Sequence, residues 1–261
     1  MKIIVCIKQV PDTTEIKLDP VKGTMIREGV PSIMNPDDKS GLEIALQLKD
    51  KYNAHVTVIT MGPAQADDIL REAFAMGVDR AIHLSDRKFA GADTLATSNA
   101  LAGALRMLQY DLIITGRQAI DGDTAQVGPQ IAELLDLPQV TYVEDLEFDN
   151  DKTFTIKKFL EEGYQMLQVE SPCLITVLSS ANKARYMSVR GILEAYDHEV
   201  ELWGFDNIKV DEEKLGLKGS PTRVFKSFTK GAKVMGTLYD DVSSIEAADI
   251  IVNKLKEKFI V

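Results

Sequence analysis

The sequence predicts an α/β fold: a doubly wound, mostly parallel sheet with added antiparallel strands and a C-terminal arm. Three observations predict it. Short apolar, β-rich runs alternate four times with helical patterns over residues 1–140. Loops carrying glycine follow two of those runs, at Met61-Gly62-Pro63 and from Gly116 to Gly128, where strands of such a sheet hand over to helices. Beyond residue 140 the alternation gives way to strand-like pieces separated by acidic turns.

Each element has its own signal. Lys2 to Ile7 reads as a fully buried strand ended by Lys8-Gln9. Residues 12–34 are polar and irregular, with a hairpin expected around Pro20 to Gly23. Asn35-Pro36-Asp37-Asp38 is a helix start, with Asn at the N-cap, Pro at the first helical position and acids in the first turn. His55 to Thr60 is the second strand, and Ala64 to about Met76 a helix closed by Gly77. Ala81 to Leu84 is a short strand, Asp93 to Leu108 an Ala/Leu-rich helix, and Asp111 to Thr115 the fourth strand. The next helix ends near Leu135.

Val140–Leu146, Thr153–Leu160, Tyr164–Val169 and Leu174–Leu178 read as antiparallel strands extending or flanking the same sheet. A short helix follows at Ser188 to Tyr196. Residues 1–200 form the α/β domain in this reading, and 201–261 an arm with scattered aromatics and a last amphipathic helix from about Ser244 to Lys258. Such an arm packs either on another subunit or on its own domain.

Composition narrows the function. A formal net charge of −10 argues against a general nucleic-acid or anionic-membrane binder, because both need clustered cations. Cys6 and Cys173 lie in apolar runs without metal-ligand spacing, and His55, His83 and His198 are far apart, so a metal site or a His-based triad is not expected. The acidic pairs, Asp37/Asp38 among them, read as solvated helix starts or turns. The N-terminus is too soon charged for a signal peptide and no apolar run is long enough to span a membrane, which fits a cytoplasmic protein.

Ligands of open parallel sheets bind beyond the carboxyl ends of the strands. Four segments converge there: 6–11, 35–38, 60–63 and 115–128. The last has the form of a diphosphate loop, with Gly122 relieving crowding and the N–H groups of Asp123 to Gln126 pointing from a helix start. Its acids, Asp121 and Asp123, sit beside one cation, Arg117. They need not face a ligand if Asp121 holds the turn and Asp123 caps the helix. The loop matches neither GxGxxG nor the P-loop pattern, so a tight connection without a ligand is the competing reading.

Longer stretches carry a family resemblance. VCIKQVPDT at 5–13, NPDD at 35–38, VITMGPAQA at 58–66, AMGVDRAIHL at 75–84, the run 114–141 and NKARYMSVRGILEA at 182–195 resemble the beta subunit of electron transfer flavoprotein, in order and over essentially the whole chain. The resemblance implies a Rossmann-like sheet of the adenine nucleotide alpha hydrolase-like kind, and a heterodimer with an alpha subunit whose mobile domain carries one FAD. It also implies either a structural AMP or a second FAD in the site above. Gly122, Thr124 and Ala125, with Val-Pro-Asp-Thr at 10–13, resemble the electron-bifurcating members.

In those members the beta-site FAD takes a hydride from NADH. One electron goes to ferredoxin or flavodoxin and one, through the alpha-subunit FAD, to an acyl-CoA or enoyl-CoA dehydrogenase. The resemblance places pyrophosphate contacts at Gly122, Asp123, Thr124, Ala125, Gln126 and Val127, beside Asp121. It places adenosine contacts at Cys6, Asn35, Asp38, Met61 and Gln118, with Val10 and Pro11 lining the ring system. It implies a partner-docking loop over Leu178, Ala181, Asn182, Arg185, Tyr186 and Met187. Ala181 stands where family members present a leucine, so Leu178 or Met187 is the expected anchor, an ordinary surface loop being the competing reading. Two alternatives remain open: a one-flavin carrier with structural AMP, and an adenine-nucleotide sensor of the universal-stress type. The roughly 120 extra residues and the arm argue against the sensor.

Overall fold

The computed structural model describes residues 1–12, 31–149, 152–222, 225 and 236–261. The hairpin expected around Pro20–Gly23, the turn residues Asn150 and Asp151, and Phe228 lie outside them. In chain order the strands and helices are β1 (Lys2–Cys6), β2 (Gln9–Pro11), β3 (Ser32–Met34), α1 (Pro36–Tyr52), β4 (His55–Met61), α2 (Asp67–Met76), β5 (Arg80–Leu84), α3 (Thr94–Leu105), β6 (Leu112–Gly116), α4 (Val127–Leu135), β7 (Gln139–Phe148), β8 (Thr153–Leu160), β9 (Gly163–Glu170), β10 (Cys173–Val177), α5 (Val189–Glu194), β11 (Val200–Trp203) and α6 (Ser244–Glu257).

One nine-stranded sheet runs in the order β11-β5-β4-β1-β6-β10-β7-β8-β9, and β2 pairs with β3 as a separate antiparallel ribbon. From β11 to β7 every neighbouring pair is parallel; β8 and β9 are added antiparallel. The period of two along β1 shows how both faces are covered. Ile3, Val5 and Ile7 pack with Leu42 and Leu46 of α1 and Ile69 and Leu70 of α2. Ile4 and Cys6 pack with Leu101 and Leu105 of α3 and Ile131 and Ala132 of α4.

Three differences from the sequence reading matter. First, the sequence pattern reads Leu174–Leu178 as antiparallel, but β10 inserts between β6 and β7 and runs parallel to both. Its five residues are all buried, as a strand covered on both faces requires. Second, Val200–Trp203 is a strand that pairs with β5 at the far edge of the sheet. Third, the arm divides. Ile208, Leu215 and Ser220 are buried against the α3 side, whereas α6 has no buried residue.

Candidate functional site

β1 lies between β4 and β6, so the chain leaves the sheet's centre in opposite directions and the carboxyl ends of these three strands border one crevice. Lys8, Val10 and Pro11 follow β1, Met61 ends β4 with Gly62 and Pro63 after it, and all six line a cleft that Asp121 reaches from the loop after β6. The cleft thus joins the first, third and fourth of the segments expected to converge.

The second segment acts from beneath. Asn35 is the residue before α1, yet its side chain makes no cap hydrogen bond. Its Nδ2 donates to the Gln118 carbonyl at 2.9 Å and its Oδ1 accepts the Ile120 N–H at 3.1 Å. The two acids behind it are buried, at 5% and 8% exposure, which corrects their reading as a solvated helix start. Asp38 accepts the N–H groups of Lys8 at 2.8 Å and Gly116 at 3.0 Å, binding the end of β1 to the end of β6. Burial raises its carboxyl to about 7, against the opposing pull of hydrogen bonds from Asn35, Lys8 and Gly116. Asp37 accepts from the backbone of Gln118 and Ser179. These three side chains bond to the backbone of residues 8, 116, 118, 120 and 179, and so hold the loop to the ends of β1, β6 and β10.

The loop itself bends sharply. Asp123 and Ala125 hold φ of 51° and 53°, left-handed values that cost a residue with a Cβ. Nothing lies within 4 Å of a Cβ built on Gly122, so that residue does not relieve crowding as expected; it presents bare backbone outward. Gly128 is different, since a Cβ there would stand 2.6 Å from Thr115 Oγ1, and only glycine lets α4 approach β6 this closely.

The N–H groups of Gly122 and Asp123 both donate to the Ala119 carbonyl. Those of Thr124, Ala125, Gln126, Val127 and Gly128 find no acceptor among the described residues. Asp123 does not cap α4, which starts at Val127 with Gln126 before it and no side-chain cap; the Asp123 carboxylate instead meets the Gln118 amide. Gln126 Oε1 accepts from Thr94 Oγ1 at 2.8 Å, which ties the loop to the start of α3. The arrangement is a row of backbone donors at a helix start, able to take an anion without a side-chain cation.

The charges settle elsewhere. Asp121 is paired with Lys8, whose Nζ lies 2.6 Å and 2.8 Å from its two carboxylate oxygens. Arg117 turns away from the cleft toward Asp37, 3.3 Å distant. Sequence reasoning missed Lys8 as the loop's counter-charge, although its place directly after β1 was the available signal. Cys6 is buried at the end of β1, and burial pushes its thiol up to about 12, which leaves it a neutral wall group. Met61 and Gln118 are half-buried at the cleft and loop, and Val10 is buried at its floor.

The residues of the expected docking loop lie together against α1 after β10. Asn182 Nδ2 donates to the Ser40 carbonyl, and Arg185 grips Glu43 through its backbone N–H and guanidinium and also reaches Asp50. Leu178 is buried and Ala181 half-buried, whereas Tyr186 and Met187 are exposed. Of the two expected anchors only Met187 is presented. Among the described residues no group of three His, Cys, Asp or Glu side chains is placed to hold a metal ion, and no helix is long and apolar enough to cross a membrane.

Comparison with known proteins bears on this geometry. The family model of the electron transfer flavoprotein domain matches residues 22–207. The chain is 58% identical to an electron transfer flavoprotein subunit beta of Clostridium acetobutylicum, over 99% of each chain. It is 51% identical, over all of both chains, to the caffeyl-CoA reductase-Etf complex subunit CarD of Acetobacterium woodii. Identity is 44% over both full lengths to the acryloyl-CoA reductase electron transfer subunit gamma of Anaerotignum propionicum.

Proposed function

The chain belongs to the electron transfer flavoprotein beta-subunit family, and on that premise we propose that it holds FAD at the crevice between β1, β4 and β6 for NADH-driven electron bifurcation. The observation that carries this reading is the row of uncommitted N–H groups from Thr124 to Gly128 beside the bare backbone of Gly122. These donors suit a diphosphate, which a Lys or Arg need not neutralise when a helix start supplies the field.

The remaining residues divide the ligand between them. Cys6, Met61 and Gln118 would hold the adenosine, and Val10 and Pro11, with Met61 in the lining of the cleft, would meet the ring system. Asn35 and Asp38 act through the backbone they hold and keep both walls at fixed separation. When bound, the flavin supplies hydride acceptance from NADH and single-electron delivery to ferredoxin or flavodoxin and, through the alpha-subunit FAD, to a CoA-ester dehydrogenase. No side chain of this subunit is assigned as an acid or base in that chemistry.

Relatives named for caffeyl-CoA and acryloyl-CoA reductase complexes support a partner of the acyl-CoA dehydrogenase type. Tyr186 and Met187 are the apolar groups offered to it, and the exposed face of α6 is offered to the alpha subunit. The test is to co-purify this chain with its alpha subunit and count flavin. Two FAD per heterodimer, one of them bleached by NADH, is the expected result. One FAD with one AMP would overturn bifurcation and leave a structural nucleotide in this site.

A further inference from the structure

Asp37 sits where two loops meet. One of its oxygens, Oδ1, accepts the Ser179 N–H at 2.9 Å, at the start of the segment that leads to Tyr186 and Met187. The other, Oδ2, faces the Gln118 N–H at 3.4 Å and the Arg117 Nε at 3.3 Å, in the loop that carries the open donor row. The side chain is buried, so neither interaction is shared with solvent.

Successive turns of α1 then seat the same segment. The Ser40 carbonyl accepts from Asn182 at 3.0 Å, and Glu43, itself 5% exposed, accepts the Arg185 N–H at 3.0 Å and its Nε at 2.9 Å. One helix therefore holds the loop after β6 at its first turn and the segment after β10 along its side. The seam between them is also the least satisfied part of the interior. Four buried side-chain polar atoms lack a hydrogen-bond partner among the described residues, and three of them, Ser40 Oγ, Arg117 Nε and Asn182 Oδ1, lie on it. Unmet polar atoms mark where a second arrangement costs least, because fewer bonds are lost by shifting.

We propose that Asp37 is a positioning residue that couples the nucleotide loop to the docking segment, so that filling the nucleotide site and seating residues 179–185 on α1 favour one another. The coupling rests on the function proposed above and adds a link between its two sites. Ordering of the loop around a bound nucleotide fixes the Gln118 N–H and the Arg117 guanidinium that Asp37 Oδ2 faces, and so holds the same carboxylate in place to accept the Ser179 N–H. Reciprocity follows from linkage: whatever factor nucleotide gives to seating of the segment, seating returns to nucleotide affinity.

The experiment is hydrogen exchange on the full chain co-purified with its alpha subunit, freed of nucleotide and then titrated with FAD or with AMP. In the wild type, nucleotide is expected to slow exchange across residues 179–185 by about fivefold or more, the low end of measured couplings. In Asp37→Asn the nucleotide still binds and the slowing is lost. Ser179→Pro removes the docking-side N–H, with a proline restraint on Leu178 and residue 179, while leaving Asp37 in place; it is expected to lose the slowing as well, which keeps the test available if Asp37→Asn does not fold. Nucleotide binding without any change across 179–185, or an unchanged effect in both variants, overturns the coupling alone. Binding at this site is read as protection of residues 120–128: its absence with both nucleotides overturns the function proposed above and the coupling with it, and protection by AMP but not FAD overturns bifurcation while leaving the coupling to be read across 179–185.

Discussion

A carboxylate oxygen of Asp38 accepts the Gly116 N–H at 3.0 Å, and Gly116 has no room for a side chain against it. A Cβ there would fall inside van der Waals contact with that oxygen and with Asp37. Gly116→Ala therefore has to break the bond that ties the end of β6 to α1. We expect a loss of roughly 3 kcal/mol, combining overpacking with an unmet buried group, read as a lower urea midpoint. A loss below about 1 kcal/mol would show that the two elements separate freely.

Asp38 also gives stability a pH dependence of known sign. Its carboxyl titrates near 7 in the fold, above the ordinary 3.8, chiefly because burial disfavours the charge. The folded state then binds more protons than the unfolded state between those values, so stability falls as pH rises. The contribution is fully present below about pH 4 and is lost as pH rises through about 7. Asp38→Asn is expected to flatten this slope, with unfolding free energies compared at intervals across that window. An equal slope in the variant assigns the titration to another group.

Alternation of apolar runs with helical patterns was enough to place β1, β4, β5 and β6, their helices and the crevice at their carboxyl ends. Local pattern could not order the later strands. The all-buried run Cys173–Val177 carried the mark of an interior strand, but its place between β6 and β7 depends on pairing across more than fifty residues. Asp37 and Asp38 look like first-turn acids from their neighbours alone. Lys8 at the end of β1 and the return of the chain at residues 116–118 and 179 give them their bonds. Lys8 and Asp121 stand 113 positions apart, so their pairing leaves no local trace either.

The amide of Asn35 makes its contacts in a fixed sense: nitrogen to the Gln118 carbonyl, oxygen to the Ile120 N–H. Asn35→Ala leaves both backbone groups unmet and is expected to cost about 2 kcal/mol. Nucleotide affinity should fall about tenfold, the equivalent of some 1.4 kcal/mol spent on ordering the loop. Asn35→Asp sets an oxygen against the Gln118 carbonyl in a fully buried position and should be worse than alanine in both respects. Calorimetric titration with FAD and thermal unfolding read the order; an aspartate variant better than the alanine one would contradict it.

The Lys8–Asp121 pair predicts how charge tunes a backbone-based site. Asp121 adds a negative charge to a cleft expected to receive an anion, and it also holds the Lys8 ammonium at 2.6 Å. Asp121→Asn removes the repulsion and frees Lys8, so FAD should bind several-fold more tightly at low salt. Lys8→Met should weaken binding by a similar factor, since only the repulsive partner remains. Both effects should shrink as ionic strength rises and the screening length falls to about 10 Å near 0.1 M. The double variant should lie near the wild type, and the cycle of four proteins isolates the pair from its surroundings. If Asp121→Asn instead weakens binding at every salt concentration, the carboxylate serves the loop's shape through Lys8, and the donor row depends on that ion pair to face the ligand.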